Sequence, residues 1–158
     1  LYAGLMIDAT GSPKVIEFNC RFGDPETQPI MLRLQTSLVT LVEQALAGTL
    51  DQTEAHWDPR PALGVVLAAG GYPGDVHKGD AISGLDQALP DAKIFHAGTG
   101  LKDGAVVTSG GRVLCATALG RTVAEAQRAA YQLADRVGWS GMFMRRDIGW
   151  RAIQREQG

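Results

Sequence analysis

Glu17, Asn19 and Arg21 alternate through the segment PKVIEFNC and into the string RFGDPETQP that follows it. Residues two apart on an extended chain project from one face. The spacing therefore sets a carboxylate, an amide and a guanidinium side by side, with Ile16, Phe18 and Cys20 on the opposite face. Buried without partners, all three would be costly. Lining a cleft, they suit a nucleotide. Carboxylate and amide oxygens are hard ligands for Mg²⁺, which keeps several waters and bridges phosphate oxygens instead of filling an all-protein cage. An arginine beside them would face the same anions and steady a transferring phosphoryl group. On spacing alone, a half-exposed strand whose polar face meets water is the more common outcome.

A second set lies in the loop Gly70–Gly74 and the His77-Lys78-Gly79 that follows. Backbone N–H groups of this stretch and the Lys78 ammonium could meet a phosphate. An ordinary glycine turn carrying a solvated lysine is the competing reading. His56, His77 and His96 have no mutual spacing of the kind a zinc site needs. Trp57, Trp139 and Trp150 are too scattered to form a base-stacking platform. Asp24 and Glu26 are accounted for by first-turn duty at a helix N-terminus, where carboxylates are favoured.

The elements that must position these groups follow from pattern. Residues 1–8 and 13–20 are expected as two strands joined by the turn Ala9-Thr10-Gly11-Ser12. A single helix is then expected from Asp24-Pro25, or from Thr27, with an apolar stripe of Ile30, Leu34, Leu38, Leu41, Val42 and Ala45 ending near Gly48. The polar, proline-bearing stretch 51–62 is the best boundary in the chain, dividing it into 1–58 and 61–158. Beyond it, Ala62–Ala69, Ala81–Ser83, Lys93–His96, Ala105–Thr108 and Arg112–Leu119 are strand candidates. Ser109-Gly110-Gly111 is expected as a plain hairpin turn between the last two. Thr122 with Glu125 forms a capping-box pattern. It opens a helix buried along Ala126, Ala130, Leu133 and Val137 and ended by Gly138. Met142–Met144 is a further strand candidate before a polar tail. The fold class is α+β: antiparallel strands plus helix, then a small, mostly antiparallel domain with one long packed helix.

Composition narrows the function classes. The 158 residues are 45% hydrophobic and 20% charged, as in an ordinary globular chain. A formal net charge of −2 gives no electrostatic case for nucleic acid or an anionic membrane surface. Neither Cys20 nor Cys115 sits in a CxxC or a disulfide framework, so both are expected as buried, reduced thiols in a cytoplasmic protein. The opening at Leu1, directly into an apolar strand pattern, is expected of a chain cut from a longer one.

The string VIEFNCRFGDPETQ resembles the signature of phosphoribosylamine–glycine ligases, members of the ATP-grasp superfamily. LAAGGYP, KGDAISGL, FHAGT, TSGGRVL, TALG and FMRRDIGWRA follow in that family's order, so the resemblance covers essentially the whole chain. Thr36-Ser37-Leu38, His77 and Met144 depart from the pattern and touch none of the proposed ligands. The resemblance implies that residues 1–58 end an ATP-grasp domain and that 61–158 are the ligase's C-terminal domain. It implies ATP as co-substrate with Mg²⁺ or Mn²⁺, glycine and 5-phosphoribosylamine as small-molecule substrates, and the rest of the same ligase as partner. It also implies Glu17 and Asn19 as metal ligands and Arg21 beside the transferred phosphoryl or acyl group, with Asp24 and Glu26 able to act on the amine. Lys78 and Gly79 are drawn toward a phosphate by the same resemblance. The chain alone is expected to be inactive. The alternatives are another ATP-grasp ligase or carboxylase, and a non-catalytic docking module.

Overall fold

A computed structural model describes residues 1–158. Strands β1 (Tyr2–Ile7) and β2 (Pro13–Asn19) form an antiparallel hairpin. Asp8 shapes the turn between them: its carboxylate accepts from the Thr10 and Ser12 amides and from the Thr10 hydroxyl, the local bonding that favours Asp at turns. Helices α1 (Thr27–Arg33) and α2 (Leu38–Ala47) follow, where the apolar stripe predicts one helix. Leu34 leaves the helical region at ψ 116° and pairs with Trp57, and Ser37 restarts a helix by accepting from the Thr40 amide. A period of 3.6 carries across such a break, so the stripe could not reveal it. Gly48 ends α2 with φ 71°, as expected.

Strands β3 (Ala62–Ala68), β4 (Ala92–His96) and β7 (Arg112–Leu119) form an antiparallel sheet in the order β3-β7-β4. Strands β5 (Thr99–Lys102) and β6 (Ala105–Thr108) form a separate hairpin. Its turn is Asp103-Gly104, both with positive φ, which the twist of a two-residue hairpin requires. This overturns the expected β6–β7 hairpin. Ser109-Gly110-Gly111 is instead a crossing between sheets, where a Cβ on Gly98 would lie 2.7 Å from the Gly110 Cα. Ala81–Ser83 and Met142–Met144 are likewise not strands. They contribute single bridges, Ala81 to Val107, Ser83 to Gly138 and Phe143 to Ala68.

Alternation in β3 and β7 gives the sheet two faces. Leu63, Val65 and Leu67 lie opposite Ala118, Ala116 and Leu114, and all are buried against α3 (Val123–Ala134). Ala126, Ala130, Leu133 and Ala134 of α3 close that core. The helix stops at Ala134, with Asp135 as its C-cap, and Val137 packs from the turn beyond it. Thr122 caps its start by accepting from the Glu125 amide, while the Glu125 carboxylate reaches the Arg121 amide. On the opposite face α1 packs across β3 and β7, although it precedes the 51–62 stretch in sequence. The expected polar tail is a helix, α4 (Trp150–Gln157), whose Glu156 accepts from the Val123 amide. Cys115 is buried, but Cys20 is exposed, contrary to expectation. No helix is long and apolar enough to cross a membrane.

Candidate functional site

The site is built on the β1–β2 hairpin. Tyr2 faces Asn19 and Gly4 faces Glu17 across the ladder, so the four residues share one side of the ribbon. A Cβ on Gly4 would sit 3.1 Å from the Glu17 Cγ, so the missing side chain is what lets Glu17 lie across the partner strand. The Tyr2 hydroxyl donates to the Glu26 Oε1 at 3.3 Å. The Glu26 carboxylate chiefly, and Glu17 to a lesser extent, hold the phenol above its usual range. Glu26 folds back over Gly23, where any Cβ would collide with its carboxylate.

Glu17 and Asn19 therefore stand on one face as the spacing predicts, and neither side chain is held by a hydrogen bond or ion pair within the chain. Two free, hard oxygen donors fit a divalent cation that completes its shell with water and phosphate oxygens. No three His, Cys, Asp or Glu side chains gather into a cage. Strand β2 ends at Asn19, so Arg21 lies past it. Its guanidinium donates to the Phe22 carbonyl at 2.9 Å, and it lines a concavity of about 390 Å³ with Leu1, Tyr2, Cys20, Phe22 and Ile30.

The second set stands apart. The Gly79 N–H is taken by the Thr108 carbonyl at 2.7 Å, so it offers no donor to a phosphate. The role of Gly79 is its positive φ of 92°, which turns the chain next to the exposed Lys78. No hydrogen bond or ion pair joins Lys78 or Gly79 to Glu17, Asn19 or Arg21.

The FGDPE string following Arg21 is anchored from far along the chain. Arg112 at the start of β7 pairs with the Asp24 carboxylate at 3.1 Å and donates to the Asp24 carbonyl at 3.1 Å. Sequence reasoning passed over Tyr2, Gly4 and Arg112. The register of the hairpin would have revealed the first two; nothing local to Arg112 announces a partner 88 residues away.

Comparison with known proteins identifies the family. The family model for the phosphoribosylglycinamide synthetase C domain matches residues 62–151. The model for the ATP-grasp (A) domain of the same synthetase matches residues 1–27, the segment holding Glu17, Asn19 and Arg21. The chain belongs to the phosphoribosylglycinamide synthetase family. Among curated members, it is 71% identical to the phosphoribosylamine–glycine ligase of Pseudomonas putida, with 100% of this chain and 37% of that one aligned. It is 70% identical to the ligase of Vibrio cholerae, with 99% and 37% aligned. The crystal structure of the Thermotoga maritima ligase superposes with a TM-score of 0.78 at 41% identity, over 92% of this chain and 36% of that one. The chain thus spans about 37% of the length of the curated synthetases it matches.

Proposed function

We propose that this chain is part of a ligase that joins glycine to 5-phosphoribosylamine, with ATP converted to ADP and phosphate. The observation that carries the reading is the free pair Glu17 and Asn19 on one strand face, inside the segment matched to the family's ATP-grasp domain. Residues 1–58 would end that domain and 61–158 would form the C-terminal one. Glu17 and Asn19 would hold Mg²⁺ or Mn²⁺. When bound, such an ion neutralises charge across phosphate oxygens. Arg21 would turn from the Phe22 carbonyl toward the phosphoryl or acyl group.

In this reading, the glycine carboxylate attacks the γ-phosphorus, the bond to ADP breaks, and an acyl phosphate results. The amine of phosphoribosylamine then attacks the acyl carbon, phosphate leaves with the bonding pair, and the amine gives up a proton. The protein's part is alignment and charge neutralisation, which together supply most of the acceleration in phosphoryl transfer. Glu26, hydrogen-bonded to Tyr2, adds negative charge at the face where an amine substrate would be held. Lys78 would meet a phosphate through its ammonium, with Gly79 setting the turn. A cytoplasmic location belongs to the same reading.

The test is ADP release by the full-length ligase containing this chain, with glycine and phosphoribosylamine supplied together and singly. Release that needs both substrates and a divalent cation supports the reading, and Glu17→Ala should then lower turnover by about 10²-fold or more. Unchanged cation-dependent turnover in Glu17→Ala would sink the ligand assignment. Release with a different carboxylate would point to another ATP-grasp enzyme.

A further inference from the structure

Arg112 is not among the groups that would touch substrate or metal, yet it makes the longest-range ionic contact with the loop leaving the site. One guanidinium nitrogen lies 3.1 Å from the Asp24 Oδ2 and another donates to the Asp24 carbonyl at 3.1 Å. The other carboxylate oxygen of Asp24 accepts from the Gln28 Nε2 at 3.2 Å, and Gln28 is buried in α1. The loop is thus gripped by side chain and backbone at once, three residues after Arg21. The grip is also well founded. Arg112 opens β7 beside a bulge at Leu67–Ala68, and its own carbonyl accepts from the Gly98 amide. A Cβ on Gly98 would lie 2.7 Å from the Arg112 carbonyl oxygen and one on Gly111 2.7 Å from the Tyr72 ring, and Gly110 packs tightly on Gly98. A cleft of about 290 Å³, lined by Pro25, Gly64, Val66, Tyr72 and Arg112 among others, runs beneath the contact.

Arg112 and Asp24 are each 42% exposed, so water screens their attraction and the pair adds little to folding stability. What a two-point guanidinium contact supplies instead is direction, since its planar fork fixes the partner's orientation. We propose that Arg112 is a positioning residue: by holding Asp24 from the C-terminal sheet, it fixes the FGDPE loop and so places Arg21 and the Glu17–Asn19 strand for the reaction. The catalytic half of this inference rests on the ligase reading; the docking half does not.

A chemical reporter of docking lies under the same loop. Cys115 is buried on the sheet face that α1 covers, and burial pushes its thiol up to about 11, with Asp24 adding to the rise. Cys20 is exposed, so Cys20→Ser leaves Cys115 as the only thiol in this chain. In the full-length ligase, cysteines outside this stretch are replaced or their labelling subtracted by mass. The experiment compares Arg112→Ala, Arg112→Lys, Asp24→Asn and the charge exchange Asp24→Arg/Arg112→Asp in that background. Cys115 labelling by a neutral disulfide reagent and steady-state kinetics are both followed.

Arg112→Ala and Asp24→Asn should each speed Cys115 labelling at least about tenfold. They should lower kcat by about 10²-fold, the order expected when reacting groups shift by an ångström, with KM for ATP nearly unchanged. Arg112→Lys keeps the charge without the fork and should recover only part of both. The charge exchange should restore protection more than kcat. If Arg112→Ala fails to fold, Asp24→Asn decides. Unchanged labelling and kcat in Asp24→Asn overturn the proposal. Faster labelling with unchanged kcat overturns the catalytic half. Should the wild type fail to release ADP while Arg112→Ala still exposes Cys115, the ligase reading falls and the docking of the loop stands.

Discussion

Two regions of this chain use similar apolar content to opposite ends. In the sheet of β3, β7 and β4, alternate residues meet α3, and all fourteen residues of the buried core cluster lie between Leu63 and Met144. In the β1–β2 hairpin, Leu5, Met6, Ile7, Val15, Ile16 and Phe18 are all exposed, Ile16 at 64%. Residues 1–61 bury only Gly23, Gln28 and Asp58. The difference teaches that stability and the candidate chemistry reside in different places. The C-terminal sheet packs its own α3 against one face and receives α1, from the first region, on the other. The hairpin that carries Glu17 and Asn19 is a two-stranded ribbon, marginal by itself in water. It joins the rest through α1 and through the Arg112–Asp24 contact in the loop that follows it.

The sharpest way to break the comparison is to cut into the core. Leu133→Ala, at a side chain 1% exposed, should destabilise the chain by about 2–5 kcal/mol in urea unfolding. A loss below about 1 kcal/mol would mean that the sheet is not the stabilising unit. Hydrogen exchange gives the next largest contrast: amides shared by β3 and β7 should open only with global unfolding, and those of β1 and β2 well before it. Equal protection in both would erase the distinction.

Thr122→Ala removes the acceptor for the Glu125 amide and should cost about 1 kcal/mol, read as a lower urea midpoint with unchanged slope.

Acid unfolding tests the Arg60 network, which ties the stretch before β3 to Asp91 just before β4. Arg60 bonds both Asp58 and Asp91, which holds the Asp58 carboxyl down to about 2 and Asp91 below its usual range. A lowered folded value means the stabilisation is complete above the unfolded value of about 3.9 and is lost as pH falls from there through about 2. Asp58→Asn should flatten that acid limb in a thermal melt series, with little change in slope above about pH 5. A wild-type curve that is already flat between pH 4 and 2 would refute the network. The smallest effect belongs to the exposed ribbon: Ile16→Ala should shift stability by no more than about 0.5 kcal/mol.

Much of the candidate site was legible because β-strand geometry is local. Period-two alternation placed Glu17 and Asn19 together before any contact was known, and the length of the FGDPE string made the family resemblance specific. The core of α3 was legible for the same reason at helical period, since Ala126, Ala130 and Leu133 recur on one face. Where pairing was non-local, local signals misled. Two glycines after Ser109 look the same in a hairpin turn and in a crossing between sheets, and only the partners of β6 and β7 tell them apart. The stripe from Ile30 to Ala45 kept its period through the break at Leu34, because the bridge to Trp57 that accompanies the break is supplied from outside.

The sequence by itself determined the elements whose information lies within a few residues: the alternation of β2 and β3, the Thr122 cap, the Gly48 stop and the hard-oxygen pair. Only the tertiary structure decided that α1 covers the second face of the C-terminal sheet, that Cys20 is exposed while Cys115 is buried, and that Arg112 grips Asp24. The physical reason is range. Propensity, capping and periodicity act over one or two turns of chain, whereas these outcomes depend on which surfaces meet after segments separated by 88 residues have packed.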